Sequence, residues 1–290
     1  MIAPPQALYG VVGYPLTHTM SPMLHSWGFS RTAYPGAYMA WAKTQQELPV
    51  FIQTVRTLPI AGISLTIPHK EHILPLLDAL APAARRIEAA NTLFWQDGKL
   101  WGDNTDSEGF ITPLLARPPC SLALVLGAGG AARAVVDALR CIGIPRILVA
   151  ARDPAKRALF RKKFACEEIP WEERERPLRH PEQFGGVPGA LWVVNTTPLG
   201  MSGARRNETP IPAAAFHLSN ASGSNLAYDL VYNPLQTVFL RDAALAGWET
   251  QDGLDMLVAQ GLAQFRIWTG HKLPHAEARA YLANLQAGGP

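Results

Sequence analysis

Cysteine is scarce: the 290-residue chain has three, Cys120, Cys141 and Cys166. An odd count closes no disulfide framework, and their spacing matches no zinc or redox pattern. Reduced, structural thiols and no bound metal are therefore expected. Long apolar runs are missing as well, since none reaches the roughly 18 residues of a membrane helix. Charge of one sign is not concentrated. Lys and Arg number 26 against 23 Asp and Glu, for a formal net charge of +3, and no basic block stands out. That balance argues against a nucleic-acid partner and suits a small anionic ligand. The first basic residue is Arg31. No charged n-region of a secretory signal is expected, and the expected location is the cytoplasm. No repeat recurs at a solenoid period.

What is present is an ordinary globular composition, 48% hydrophobic and 17% charged, in a length that suits two domains. "ALYGVVGYP" reads as a buried strand ending in a Gly/Pro turn. Ser21 followed by Pro22 signals a helix start, with the hydroxyl as N-cap. Thr44 and Glu47 form a capping box for a helix that carries Phe51, Ile52, Val55 and Leu58. "IAGISLTIPHK" predicts a strand ending at Thr66, and "NTLFWQDGKLWGDNTD" a hairpin turning at Asp97-Gly98. After a Pro-rich joint at 116–120, a second α/β pattern begins. Strands are expected at "LALVL", "RILVAA", "ALWVVNTTP", "AYDLVY" and "WETQDG". The stretch 166–190 reads as loops around a short strand. "GLDMLVAQGLAQFRIWTG" is an amphipathic helix that could cap the second domain or return to the first.

The strand "LALVL" runs into Gly127-Ala128-Gly129-Gly130-Ala131-Ala132, a G-x-G-x-x-A fingerprint in its proper context. Gly127 permits the tight turn, Gly129 lets the backbone approach a pyrophosphate, and Ala132 keeps the helix against the sheet. The helix N-terminus offers free N–H groups to phosphate. At the end of the next strand, Ala151-Arg152-Asp153 precedes Lys156-Arg157. Arg152 and Lys156 suit the 2′-phosphate of NADP. Asp153 is either a ribose ligand, which favours NAD, or an N-cap before Pro154.

Four polar clusters fall at strand ends of the first domain: Thr19 with Ser21, Thr66 with Lys70, Asn91 with Thr92, and Asn104-Thr105-Asp106. Crevices at the carboxyl ends of strands are where α/β sheets bind ligands. Hydride transfer to a ketone needs a proton donor, and a lysine oriented by an aspartate can serve. Singly, each residue has a structural alternative as turn former, cap or solvated lysine.

Taken together and in order, the motifs resemble the shikimate dehydrogenase family over nearly the whole chain. They are "GYPLTHTMSPMLHS", "GISLTIPHK", "AANTLFWQDGKLWGDNTDSEGF", "GAGGAARA", "NTTPLGM", "YDLVYNPLQTVFL" and "DGLDMLVAQGLAQFRIWTG". The resemblance implies a two-domain α/β fold. A substrate-binding, catalytic domain (1–116) would be completed by C-terminal helices (253–290) returning to it, with a Rossmann-type NADP-binding domain (117–252) between. It implies reversible NADPH-dependent reduction of 3-dehydroshikimate, in the chorismate route to aromatic amino acids, by a monomer or homodimer. Lys70 would be general acid, paired with Asp106. Thr19, Ser21 and Tyr232 would take the substrate carboxylate, and Thr66, Asn91 and Gln260 the ring hydroxyls. Gly127, Ala128, Gly129, Gly130, Ala131, Arg152, Lys156, Thr196 and Gly253 would hold the cofactor. The chain departs from the family pattern at Thr19 (usually Ser), at Glu88 (usually Gly) and at Ala151 and Asp153 (usually Asn and Thr). The alternatives are a quinate/shikimate dehydrogenase using NAD or both cofactors, and a non-catalytic NADP-binding regulatory relative.

Overall fold

Val11, Val12, Ile63 and Leu65 are buried to within 2% exposure and anchor the first sheet. In this computed structural model, which describes residues 5–16, 19–187, 190–216 and 224–288, that sheet has six strands. They are β1 (Ala7–Gly13), β2 (Gly36–Ala42), β3 (Ile60–Leu65), β4 (Ala79–Leu80), β5 (Thr92–Gln96) and β6 (Lys99–Asp103). Their order is β2-β1-β3-β5-β6-β4. β1 runs parallel to β2 and β3, whereas β5 is antiparallel to both β3 and β6. The hairpin turns where expected, with φ of 52° at Asp97 and 71° at Gly98, as a two-residue hairpin loop requires. Five helices accompany the sheet: α1 (Ser21–Thr32), α2 (Leu48–Thr57), α3 (His69–His72), α4 (Pro82–Ile87) and α5 (Asp106–Ile111).

Several local expectations are corrected. The N-cap of α1 is Met20, with Ser21 already in the helix; Thr19 Oγ1 accepts from the Ser21 N–H at 3.4 Å. The Thr44–Glu47 pair forms only half a capping box. Glu47 Oε2 accepts from both Thr44 N and Thr44 Oγ1 at 2.8 Å, while α2 starts at Leu48 with no side-chain cap. β3 stops at Leu65, one residue before Thr66. β2 was not foreseen: it is a half-exposed edge strand, so its side chains do not alternate cleanly. Thr17 and His18 of the N-terminal motif lie outside the described residues.

Glu88 explains one family departure in backbone terms. It ends α4 with φ 55° and ψ 40°, the left-handed conformation that glycine adopts without a Cβ penalty. Replacing Glu88 by Gly is expected to raise the thermal midpoint by about 2 °C, for roughly 0.5–1 kcal/mol of relieved strain net of glycine's extra unfolded-state entropy. A lower midpoint by calorimetry would show that the Glu88 side chain contributes more than its backbone conformation costs.

The second sheet is wholly parallel. It comprises β7 (Leu122–Leu126), β8 (Arg146–Ala151), β9 (Glu167–Pro170), β10 (Leu191–Asn195), β11 (Leu226–Asp229) and β12 (Glu249–Gln251). The order is β12-β11-β10-β7-β8-β9, so the chain reverses direction of growth between β7 and β10. Strands buried on both faces read as continuous apolar runs, as "LALVL" and "LWVVN" do. The helices here are α6 (Gly130–Cys141), α7 (Pro154–Phe164), α8 (Arg176–Arg179), α9 (Ala213–Phe216) and α10 (Val238–Leu245). One apolar cluster, including Ala132, Val135, Phe160 and Tyr228, lies on one face; another, including Phe216, Phe239 and Trp248, lies on the other.

The last helices are α11 (Leu254–Thr269) and α12 (His275–Ala287). By contacts the chain divides into two compact units, Met1–Gly109 with Val258–Pro290, and Phe110–Leu257. α11 docks on the first sheet through Trp268, whose Nε1 donates to Leu93 O at 2.9 Å. A Cβ on Gly62 would lie 2.3 Å from that nitrogen, so glycine is needed beneath the indole. Phe265 packs with Tyr9 and Phe29 in the same cluster. Among the described residues, no helix is long and apolar enough to cross a membrane. The three cysteines are free; burial pushes the Cys120 thiol up to about 12 and the Cys166 thiol to about 11.

Candidate active site

The strand directions bring three chain segments to one end of the first sheet. Lys70 follows β3, Asp106 follows β6, and Asn91 precedes β5, which runs opposite to both. Ser64 pairs with Thr92 and Thr92 with Asp103, so all three segments emerge within one register. α3 is pinned there by His69, whose ring Nε2 donates to Lys43 O at 2.8 Å, and by the bond from Ala90 N to Lys70 O.

Lys70 Nζ donates to Asp106 Oδ2 at 2.6 Å. The lysine side chain is 17% exposed and the aspartate 4%, so of the two the lysine is the more open to solvent. The other carboxylate oxygen, Oδ1, accepts from Asn91 Nδ2 at 2.8 Å. Asn91 Nδ2 also lies 3.0 Å from Thr105 Oγ1 and 3.2 Å from Gln260 Oε1 on α11. Its Oδ1 accepts from Thr105 N at 2.9 Å and from Thr92 Oγ1 at 2.7 Å. Asn104 turns the chain, accepting from Asp106 N at 3.0 Å and donating to Ala89 O at 2.8 Å. A buried asparagine with every polar atom engaged is rigid, and it fixes which oxygen Asp106 turns to Lys70.

Of the remaining expected substrate ligands, Thr66 is half-buried just after β3 and anchors α3 by accepting from His69 N at 2.9 Å. Thr19 and Ser21 are half-buried at the start of α1. Ser21 reaches Tyr38, a residue that no sequence motif singled out. Tyr232 belongs to the second unit, a few residues past β11, where burial raises its phenol above the ordinary range.

The glycine turn is built as the fingerprint requires. Gly127 has φ of 114°, and a Cβ there would lie 2.6 Å from Thr196 Oγ1, a hydroxyl that donates to Leu126 O at 2.7 Å. Gly129 is the extended N-cap of α6, and a Cβ on it would meet nothing within 4 Å. The helix start is thus an open platform, with Ala128, Gly130 and Ala131 around it. Gly253 is needed for a different reason: a Cβ would lie 2.4 Å from Leu230 O. At the end of β8, Asp153 is the N-cap of α7, its Oδ1 accepting from Ala155 N at 2.9 Å and Lys156 N at 3.3 Å. Arg157 donates to Ala151 O at 2.6 Å, and Arg152 and Lys156 remain exposed.

Behind the turn lies a network that sequence reasoning missed. Asp229, fully buried at the end of β11, accepts from Thr237 Oγ1 at 2.6 Å, Val231 N at 3.0 Å and Asn195 Nδ2 at 2.9 Å. Asn195 in turn fixes the following loop, bonding Thr197 N at 3.0 Å, Thr197 Oγ1 at 2.7 Å and Leu199 O at 3.1 Å. The available signal was a carboxylate inside an otherwise apolar strand, "AYDLV".

Comparison with known proteins gives the family. A model of the shikimate dehydrogenase substrate binding domain matches residues 11–93, and one of the shikimate 5′-dehydrogenase C-terminal domain matches 253–280. A shikimate dehydrogenase (NADP(+)) of Oleidesulfovibrio alaskensis is 48% identical over 98% of each chain. The chain belongs to the shikimate dehydrogenase family. Another shikimate dehydrogenase (NADP(+)), from Pelobacter propionicus, is 43% identical over 97% of each chain. Among solved structures, the shikimate dehydrogenase of Thermus thermophilus in complex with NADP(H) and shikimate is similar with TM-score 0.81 and 35% identity. That match covers 96% of this chain and 99% of the other. As in other members of the shikimate dehydrogenase family, the fold is two-domain α/β with a Rossmann-type part.

Proposed function

We propose that this protein is an NADP-dependent shikimate dehydrogenase, reducing 3-dehydroshikimate to shikimate reversibly in chorismate and aromatic amino acid biosynthesis in the cytoplasm. The observation that carries the reading is the Lys70–Asp106 contact at 2.6 Å, locked from behind by Asn91. In the reductive direction Lys70 Nζ gives a proton to the carbonyl oxygen of the substrate; in reverse it takes the hydroxyl proton. Asp106 orients the amine and accepts a substrate hydroxyl, and its fixed orientation removes a rotation from the approach to the transition state. Thr66, Asn91 and Gln260 bind ring hydroxyls, and Thr19 and Ser21 bind the carboxylate.

The second unit, Phe110–Leu257, is the NADP-binding domain and the first carries the substrate. The open helix start at Gly129 suits a pyrophosphate, together with Gly127, Ala128, Gly130 and Ala131. Arg152 and Lys156 suit a 2′-phosphate, and Thr196 and Gly253 line the nicotinamide side. Use of Asp153 as a helix cap supports NADP over NAD, because its carboxylate already serves backbone N–H groups. When bound, NADPH supplies the hydride.

The test is oxidation of NADPH and of NADH by the purified protein, with 3-dehydroshikimate and 3-dehydroquinate side by side. The expected result is a kcat/KM for NADPH with 3-dehydroshikimate at least about tenfold above every other pairing, or about 1.4 kcal/mol of discrimination. No turnover of 3-dehydroshikimate would overturn the reading, and a preference for 3-dehydroquinate would make the protein a quinate dehydrogenase.

A further inference from the structure

Beneath the candidate site runs a second chain of hydrogen bonds, whose first member, Tyr38, also meets Ser21. Tyr38 Oη donates to Ser64 Oγ at 2.6 Å, and Ser64 Oγ donates to Gln264 Oε1 at 2.7 Å. Gln264 Nε2 then donates to the backbone oxygen of Asn91 at 3.0 Å. The direction of the chain is fixed at its end, because a backbone carbonyl only accepts, so the amide nitrogen must face Asn91 and the amide oxygen Ser64. Gln264 is 1% exposed and Ser64 4%. The cluster is closed by His25, fully buried and stacked on Tyr38 at 4.5 Å between centroids. Burial lowers its imidazole to about 3, so it stays neutral.

Gln264 lies one helical turn beyond Gln260 on α11, and residues four apart share a helix face. The two glutamines grip the same partner from different sides: Gln264 holds the main chain of Asn91, and Gln260 meets its side-chain amide at 3.2 Å. Asn91 then sets Asp106, and Asp106 sets Lys70. We propose that Gln264, oriented by the Tyr38–Ser64 hydroxyl chain, is a positioning residue that sets the rotation and height of α11, and so places Gln260 and Asn91 for the substrate's ring hydroxyls. This rests on the functional reading above. Burying a polar relay where a leucine would pack is consistent with a requirement for fixed orientation, since buried amides left unpaired are costly.

A positioning role and a purely structural one differ in what they move. Gln264→Leu is expected to raise KM for shikimate about tenfold, leave kcat within about threefold, and leave KM for NADP unchanged. Ser64→Ala, which removes the donor to Gln264, should raise the same KM by about threefold, and Ser64→Thr, which keeps the hydroxyl, should restore it. The Ser64→Ala/Gln264→Leu double variant should be no worse than Gln264→Leu, because both break one chain. If Gln264→Leu does not fold, the Ser64→Ala and Ser64→Thr pair decides. A lowered thermal midpoint with KM for shikimate within twofold in the folded variants would overturn the inference while leaving the proposed function intact. A wild-type protein inert toward shikimate would overturn both.

Discussion

Lys70→Met is expected to lower kcat about 10³-fold while KM for shikimate changes by no more than about threefold, because a positioned general base, as Lys70 is in the oxidative direction, acts chiefly in the transition state. The variant has a complication that the geometry exposes. Asp106 is only 4% exposed on its side chain, and without Lys70 its Oδ2 loses its donor while Oδ1 keeps Asn91. Part of the effect of the single variant is therefore an uncompensated carboxylate, which would appear as a lowered thermal midpoint. Adding Asp106→Asn removes that charge. The double variant should recover the midpoint but stay as inactive as Lys70→Met alone, since residues acting as one unit are not additive. Steady-state kinetics with shikimate and NADP, with calorimetry on the same samples, decide it. Near-normal turnover in Lys70→Met would remove the lysine from the chemistry.

Asp229→Asn should abolish a pH dependence of stability rather than activity alone. Burial raises the Asp229 carboxyl from 3.8 to about 7, against the opposing pull of Thr237, Val231 and Asn195. A folded pKa above the unfolded one means that the folded state binds the proton more tightly. The stabilisation is complete below about pH 4 and is lost as pH rises toward 7. Between pH 5 and 8 the wild-type protein should lose on the order of 3 kcal/mol from this group. The Asn variant can keep its Oδ1 bonds to Val231 and Asn195 and turn its Nδ2 to Thr237 Oγ1, so its unfolding free energy should lack that loss across the window. A wild-type and variant pair running parallel from pH 5 to 8 in denaturant titrations would mean that the carboxyl is ionised throughout. Because Asn195 fixes the 196–200 loop, KM for NADP in the wild type should follow the same titration.

What could be read from the residues alone was whatever short-range chemistry specifies. The glycine turn after "LALVL", the Asp97-Gly98 hairpin and the amphipathic run of α11 each carry their signal within a dozen residues, and each forms where expected. β2 escaped because an edge strand shows mixed exposure, which erases the period-two pattern. The start of α1 was misplaced by one residue, since Ser21-Pro22 satisfies the N-terminal preference either as cap and first residue or as first and second. In the candidate site, Lys70, Asn91 and Asp106 were marked by motif and strand-end position. The Tyr38–Ser64–Gln264 chain was invisible because its members are separated by 26 and 200 residues and each is ordinary in its local context. A polar residue on the buried face of α11 was the one hint available.

The discontinuity of the first unit has a consequence for how the protein comes into being. Gln260, Gln264, Phe265 and Trp268 all dock on a sheet made from the first 103 residues, yet they belong to the segment that begins at Val258. During vectorial synthesis, residues 110–257 supply one compact unit from a single continuous segment, whereas the earlier-made sheet waits with Gly62 and the Asn91 carbonyl uncovered. The nascent chain should therefore acquire its dinucleotide fold before its proton-transfer fold, reversing the usual order in which the first-made part folds first. A fragment cut before Val258 would keep Lys70 and Asp106 but lack the helix that holds Asn91 in place.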